Sequence, residues 1–189
     1  MKSRLDAELV RRGLARSREQ AGDLIEKRSV LVAGIPATKP ATQVDAETSI
    51  TLVGKRDDFV SRGGHKLASA LDAFPQISIT GKRALDAGAS TGGFTDVLLF
   101  NGAQHVVCVD VGQNQLHEKL RRDPRITSLE SQDIRSLMAE RLLKKPTRIV
   151  IDASFISLSL ILHHIDRLAA EQCELIALIK PQYEAGAAA

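Results

Sequence analysis

The residues whose types and spacing could do chemistry lie mainly in one stretch, Asp86-Ala87-Gly88-Ala89-Ser90-Thr91-Gly92-Gly93-Phe94, and in Asp110, 22 positions beyond Gly88. A short apolar run, Ala84 to Ala87, leads into a turn of small residues, and a helical pattern starts near Phe94 and Thr95. Strand, turn and helix in that order bring free backbone N–H groups and the positive end of a helix dipole to the turn, where negative charge is favoured. Small side chains let a ligand approach the backbone closely. A second apolar run, His105 to Val109, ends in Asp110. An acid ~20 residues past such a turn is where the ribose of a nucleoside cofactor is held. The stretch therefore reads as the site of an adenosine-containing cofactor.

Two other chemistries share these letters. Gly88-Ala89-Ser90-Thr91-Gly92 fits the G-x-S-x-G nucleophile elbow of hydrolases, with His163 or His164 as nominal partners. Context argues against it, because the turn follows the first strand of its domain, whereas a hydrolase sheet has several strands before the elbow. A nicotinamide site prefers G-x-G-x-x-G, and Ser90 stands where the second glycine belongs.

The elements that must position these residues follow from periodicity. Lys66, Leu67, Ala70 and Leu71 predict a helix to about Phe74, ended by Pro75. After the glycine turn a helix runs through Phe100 and stops at Gly102. Leu116 to Leu120 reads as a helical turn, Ile126 to Leu129 as a third strand, and Ile134 to Leu143 as a helix. Arg148 to Asp152 is a fourth strand, Phe155 to Ala170 a helix, and Leu175 to Lys180 a fifth strand. Alternating strands and helices mean an α/β domain, a parallel sheet covered on both faces.

The first third of the chain has another pattern. Leu5, Leu9, Val10 and Leu14 follow helical spacing to Gly13, and Ser17 with Gln20 fits a capping box for a second helix carrying Ala21, Leu24 and Ile25. Val30 to Val32 and Ser49 to Val53 read as strands, with a turn at Ala33-Gly34-Ile35-Pro36. Residues 1–66 hold 13 Lys and Arg against 9 Asp and Glu, a net of +4, while the whole chain carries +3. A basic module on a near-neutral body suggests a polyanion partner. Residues 54–58 read as a charged linker, giving domains 1–58 and 59–189. No apolar leader follows Met1, and the most apolar run, Phe155 to Leu162, is short of the ~20 residues that cross a bilayer. Cys108 and Cys173 lack metal-ligand spacing and read as reduced thiols of a cytoplasmic protein.

Arg4-Leu5-Asp6, Leu9, Arg12-Gly13-Leu14-Ala15, Ser17-Arg18, Ala21, Leu24-Ile25, Val30-Leu31-Val32 and Gly34 resemble the S4 RNA-binding domain over about residues 3–54. The resemblance implies that Arg4, Arg11, Arg12, Arg16, Ser17, Arg18, Lys27 and Arg28 face RNA, with Arg62 beyond them. Such contacts hold phosphates and do not read sequence directly.

Val60-Ser61-Arg62-Gly63-Gly64-His65-Lys66-Leu67, the Asp86 to Asp96 stretch, Asp110-Val111-Gly112, Asp152-Ala153-Ser154-Phe155-Ile156-Ser157-Leu158 and Lys180-Pro181-Gln182-Tyr183-Glu184 together resemble the TlyA family. Those proteins, often labelled haemolysins, are ribosomal RNA 2′-O-methyltransferases that join an S4 domain to an FtsJ-like, Rossmann-type domain. The resemblance implies S-adenosylmethionine as cofactor and ribosomal RNA as partner, with a cytidine ribose as acceptor. It implies cofactor contacts from Asp86, Gly88, Ala89, Ser90, Thr91, Gly92, Gly93, Phe94, Asp110, Val111, Asp133 and Ile134. Asp133 also reads as a helix N-cap. Of the family's Lys-Asp-Lys-Glu catalytic set, Lys66, Asp152 and Lys180 carry over by motif.

The family continues past the Lys-Pro-Gln motif with further strands that carry the fourth catalytic residue. This sequence ends at Ala189, so it reads as lacking the last strands, and Glu184 lies in the wrong motif to replace that residue. A non-catalytic RNA- and cofactor-binding role is the alternative that this departure raises. The membrane-lytic activity in the family label finds no spanning segment or strongly amphipathic helix to support it.

Overall fold

The computed structural model describes residues 2–52 and 58–185. Most of the expected linker, 54–57, Val53 of the expected strand and the terminal alanines 187–189 lie outside the described residues. The chain divides into two compact units, Met1–Arg56 and Asp57–Ala189.

The first unit holds β1 (Ser3–Arg4), α1 (Leu5–Arg11), α2 (Arg18–Glu26), β2 (Val30–Val32), β3 (Ile35–Pro36), β4 (Gln43–Val44) and β5 (Ile50–Leu52). Leu5, Leu9, Ala21, Ile25 and Val30 are almost wholly buried and form its core. Burying each of the larger ones contributes roughly 1.5–3 kcal/mol. Ser17 caps α2 as its spacing predicts, its hydroxyl accepting from the Gln20 N–H at 3.1 Å. The expected turn at 33–36 is tighter than a loop. Ala33 and Gly34 take positive φ (49° and 81°), so Ile35 pairs directly with Val32 and the strands β3-β2-β5 form one antiparallel sheet. β1 and β4 pair with each other and left no periodic signal, being two residues long.

The second unit holds α3 (Gly63–Ala73), β6 (Arg83–Ala87), α4 (Gly93–Phe100), β7 (His105–Val109), α5 (Glu118–Arg121), β8 (Ile126–Leu129), β9 (Arg148–Ile151), α6 (Leu158–Leu168), β10 (Glu174–Ala177) and α7 (Pro181–Glu184). The five strands are parallel in the order β10-β9-β6-β7-β8. Strand residues alternate between two cores. Ala84, Val106, Cys108 and Val150 pack with α3, α4 and α5, while Leu85, Ala87, Val107, Val109, Ile149 and Ile151 pack with α6. The chain winds outward from β6 to β8 and then crosses to β9. This puts the topological switch point between β6 and β9, where ligands of such sheets bind at the carboxyl ends of the strands.

Three expected elements are corrected. Residues 134–143 form two 3₁₀ turns, Ile134–Ser136 and Ala139–Arg141, with Leu137 and Met138 extended, and not an α-helix. Side chains compete there with the helical ladder: Asp133 accepts from the Arg135 N–H, and Ser136 Oγ donates to the Asp133 carbonyl. Ile134, Leu137 and Leu142 still reach the core, so the apolar spacing was real although the helix is not. The helix expected from Phe155 starts at Leu158 because Ser157 caps it and Phe155 has φ 63°. The fifth strand ends at Ala177, which leaves Lys180 three residues beyond it as the N-cap of α7.

Candidate active site

The turn after β6 is shaped by the protein's own packing. Gly88 has φ 82°, and a Cβ there would lie 3.0 Å from the Asp152 carbonyl oxygen and 3.1 Å from Ala153 Cα. At Gly92 (φ 96°) it would run into Leu116 and Leu120, and at Gly93 into Ser61 and the Gly64 backbone. These glycines therefore let neighbouring chain approach, a reason that glycine spacing alone does not separate from room for a ligand. Ser90 and Thr91 are exposed at the tip, and Gly88 is half-buried. Ala89 and Phe94 are almost wholly buried, so of the cofactor residues expected here Phe94 is core.

Asp110 closes the turn. Its Oδ2 accepts from the Ser90 N–H at 2.8 Å and its Oδ1 from the Gly112 N–H at 2.7 Å. It lines a small, partly enclosed cleft, with room for about one water, together with Ser90, Gly112, Gln115, Ser128 and Glu130. Val111 beside it is 72% exposed, an apolar side chain presented to whatever enters. Asp133 caps its 3₁₀ turn and pairs with Arg135 at 2.6 Å, so the N-cap reading has a geometric basis, while Ile134 lies in the core.

Asp86 does not line the open site. It is fully buried under the turn, on the same sheet face as Cys108, and accepts from Thr95 Oγ1 at 2.6 Å. Its other oxygen accepts no hydrogen bond among the described residues. Burial, helped by the nearby Asp152 and Asp110 charges, outweighs the Thr95 bond and pushes its carboxyl up to about 7. The same burial pushes the Cys108 thiol up to about 12.

Across the switch point, Lys180 Nζ lies 2.7 Å from Asp152 Oδ1 and donates to Ser154 Oγ at 2.9 Å. The ammonium approaches Oδ1 out of hydrogen-bonding line, so that oxygen is paired by charge alone. Both side chains are mostly screened from solvent, at 16% and 19% exposure, unlike an ordinary surface pair. Gly63, in the first turn of α3, would place a Cβ 3.8 Å from Asp152 Oδ2. Lys66 is exposed one turn further along that helix. The structure thus joins Asp152 to Lys180 and brings the start of α3 beside them. Ser154 was missed as a partner, although it sits inside the motif that carries Asp152. Phe155 is 89% exposed, in a left-handed conformation, with its ring 5.4 Å from that of Tyr183. Glu184 serves the fold. Its carboxylate accepts from the Leu158 N–H at 2.7 Å and from Ser157 Oγ at 2.6 Å, fastening α7 to the start of α6.

The hydrolase reading gains no support. Ser90 has no histidine partner among the described residues, and a ring nitrogen of His163 lies 2.7 Å from the Ser159 carbonyl while one of His164 meets Arg167 at 2.9 Å.

In the first unit, Arg12 is spent on the fold. Its guanidinium donates to Glu8 and to the carbonyls of Asp45, Ala46 and Thr48. Arg11 also pairs with Glu8 but stays 63% exposed. Arg4 and Arg18 share Asp6. Arg16, Lys27 and Arg28 are exposed at the two ends of α2, Ser17 is its cap, and Arg62 is the exposed N-cap of α3 in the second unit.

Family comparison agrees with this architecture. Residues 59–189 match the FtsJ-like methyltransferase model, and residues 3–50 match the S4 domain. The 16S/23S rRNA (cytidine-2'-O)-methyltransferase TlyA of Mycobacterium tuberculosis is 50% identical over 98% of this chain and 69% of its own length. The chain belongs to the TlyA family. A Campylobacter jejuni member, a 23S rRNA (cytidine-2'-O)-methyltransferase, is 37% identical over 90% of this chain and 72% of its own. Among solved structures, a protein described as a candidate hemolysin from Streptococcus thermophilus superposes with a TM-score of 0.67 at 41% identity, over 98% of this chain and 68% of that one. The chain thus spans about two thirds of the length of these TlyA relatives. No helix among the described residues is long and apolar enough to cross a membrane.

Proposed function

We propose that this chain transfers a methyl group from S-adenosylmethionine to a ribose 2′-hydroxyl of ribosomal RNA, a cytidine as in its named relatives, on ribosomal subunits in the cytoplasm. The observation that carries the reading is the screened Lys180–Asp152–Ser154 cluster at the switch point, packed so close to the glycine turn that a Cβ at Gly88 would lie 3.0 Å from the Asp152 carbonyl oxygen.

The residues present fit the cofactor. Asp110 has both oxygens fixed by backbone N–H groups yet retains lone pairs at the small cleft beside the turn, suited to ribose hydroxyls. Val111 offers an apolar surface for a base, and Ser90 and Thr91 are open at the turn. When bound, S-adenosylmethionine supplies an electrophilic methyl group on its sulfonium.

The chain's part is to position the acceptor and polarise its oxygen, while the hydroxyl proton passes to water as the methyl arrives. A lysine ammonium has three donors. Asp152 and Ser154 orient Lys180 Nζ, which leaves an N–H for the ribose oxygen. That bond stabilises negative charge growing on the oxygen, in a setting where a fixed donor costs no reorganisation. Lys66, on the helix that begins beside Asp152, helps hold the hydroxyl and adds positive charge. Phe155 offers an exposed ring on which the base of the target nucleotide can stack. Its positive φ is the kind of local strain kept at working sites. Much of the rate enhancement then comes from orientation. The basic face of the S4-like unit, with Arg4, Arg11, Arg16, Arg18, Lys27 and Arg28, holds the RNA backbone.

The test is transfer of labelled methyl from S-adenosylmethionine into ribosomal subunits of a strain lacking this family, with the product nucleoside identified by mass spectrometry. A 2′-O-methyl nucleoside is expected. Absence of label, beside an active longer relative, would leave an RNA- and cofactor-binding role.

A further inference from the structure

Asp6 is a buried acid of the S4-like unit that sits between two arginines. Arg4, on β1, grips it with two bonds, Nε to Oδ1 at 3.1 Å and Nη2 to Oδ2 at 2.9 Å. Arg18, in the first turn of α2, reaches the same Oδ2 with Nη2 at 2.8 Å and Nε at 3.3 Å. The Ala7 N–H fixes Oδ1 at 2.8 Å. One carboxylate therefore holds together two guanidinium groups that are 14 residues apart in sequence. Both arginine side chains remain about half exposed, at 47% and 60%. Among the described residues, Nη1 of neither arginine makes a hydrogen bond, so each fork keeps donors for a ligand. Glu8, the neighbouring buried acid, behaves differently, since one of its two arginines, Arg12, is consumed by backbone carbonyls.

We infer that Asp6 is a positioning residue for RNA: it locks Arg4 and Arg18 into one two-pronged receptor for a backbone phosphate. The inference rests on the RNA-binding reading of this unit. A flexible arginine loses rotamer freedom when it binds, and an arginine already fixed does not. Two unpaired guanidinium groups at this spacing would also repel each other. The carboxylate removes both costs and leaves a net positive pair with planar forks, the geometry that suits phosphate.

The test turns on a sign. Asp6→Asn removes a negative charge from an RNA-binding face, and charge counting alone predicts tighter binding with a steeper salt dependence. Positioning predicts weaker binding, about tenfold, without a steeper slope. Binding of the full chain to purified ribosomal subunits would be measured across a salt series, with Asp23→Asn, an exposed acid on α2, as the charge control. Asp6→Asn binding as tightly as the parent, or more tightly, would overturn the inference. Arg4→Ala and Arg18→Ala, at exposed side chains, decide the matter if Asp6→Asn does not fold. A shared receptor predicts that either loss alone approaches that of the double variant, and strictly additive losses would overturn it. Failure of the parent chain to bind subunits at all would instead overturn the RNA-binding reading, and this inference with it.

Discussion

Lys180 carries the heaviest expectation of any single residue. On the proposed mechanism Lys180→Ala removes the donor to the ribose oxygen but no group assigned to the cofactor. Methyl transfer should fall by about 10²-fold or more, while S-adenosylmethionine binding by calorimetry stays within about twofold of the parent on the differential-binding argument. Phe155→Ala should act on the RNA substrate, raising KM for subunits by an amount consistent with a lost stack of about 1–3 kcal/mol, with cofactor affinity unchanged. Asp86 gives a pH effect of unusual sign. Its folded-state value is pushed up to about 7 by burial, whereas an unfolded aspartate ionises near ~3.9. Between those limits the folded chain holds a proton that the unfolded chain has released. Stability should therefore decline as pH rises from about 4 to about 7 and level off above. Asp86→Asn, permanently neutral, should lose that slope, on the order of 3 kcal/mol between pH 5 and pH 8. Urea midpoints of both proteins at pH 5 and pH 8 would show it, and parallel shifts would refute it.

At the level of elements, α7 is a four-residue helix whose first residue follows Lys180, and Glu184 ties it to the start of α6. The bonds from the Leu158 N–H and Ser157 hydroxyl hold the Glu184 carboxyl below its ordinary value. Their contribution is present at neutral pH and is lost as pH falls through that lowered value. Glu184→Ala should lower the melting temperature by ~2–4 °C and reduce transfer more than it reduces cofactor binding, because it loosens the helix that positions Lys180. Glu184→Gln, which can keep the Leu158 bond, should recover part of both. β6, α4 and β7 were legible because their apolar runs are bounded by the glycine turn and Gly102, and α3 because Pro75 ends it. Residues 134–143 were not, since an apolar spacing compatible with a helix is equally served by two 3₁₀ turns when Asp133 and Ser136 bond locally. The capping role of Glu184 was also illegible, because its partners lie 26 and 27 positions away.

At the level of the whole molecule, motif order makes the pairing of an S4-like unit with a methyltransferase unit readable in the sequence. What it did not reveal is how charge is used. Arg12 and Arg11 look alike in sequence, yet one guanidinium is enclosed by carbonyls and the other is open to solvent. A count of basic residues therefore overstates the cations available to RNA. Affinity for ribosomal subunits should still fall with salt, with a log–log slope near −0.7 to −0.9 per phosphate contacted. Arg11→Ala should reduce that slope by about one contact's worth, and Arg12→Ala should instead lower the melting temperature. Filter binding between about 50 and 200 mM salt, with thermal melts alongside, would separate the two.

Gly88 faces the Asp152 carbonyl and Ala153 across the switch point with no room for a side chain between them. The donor side and the acceptor side of the site are thus two ends of one rigid joint. A shift of β9 by a fraction of an ångström moves the group that pairs with Lys180 and presses on the turn that we propose meets the cofactor. Substitutions far away in the core of α6 and β9, such as Ile149→Val, can then be felt by both binding partners together, and alignment of methyl donor with hydroxyl is inherited from the packing of a single strand.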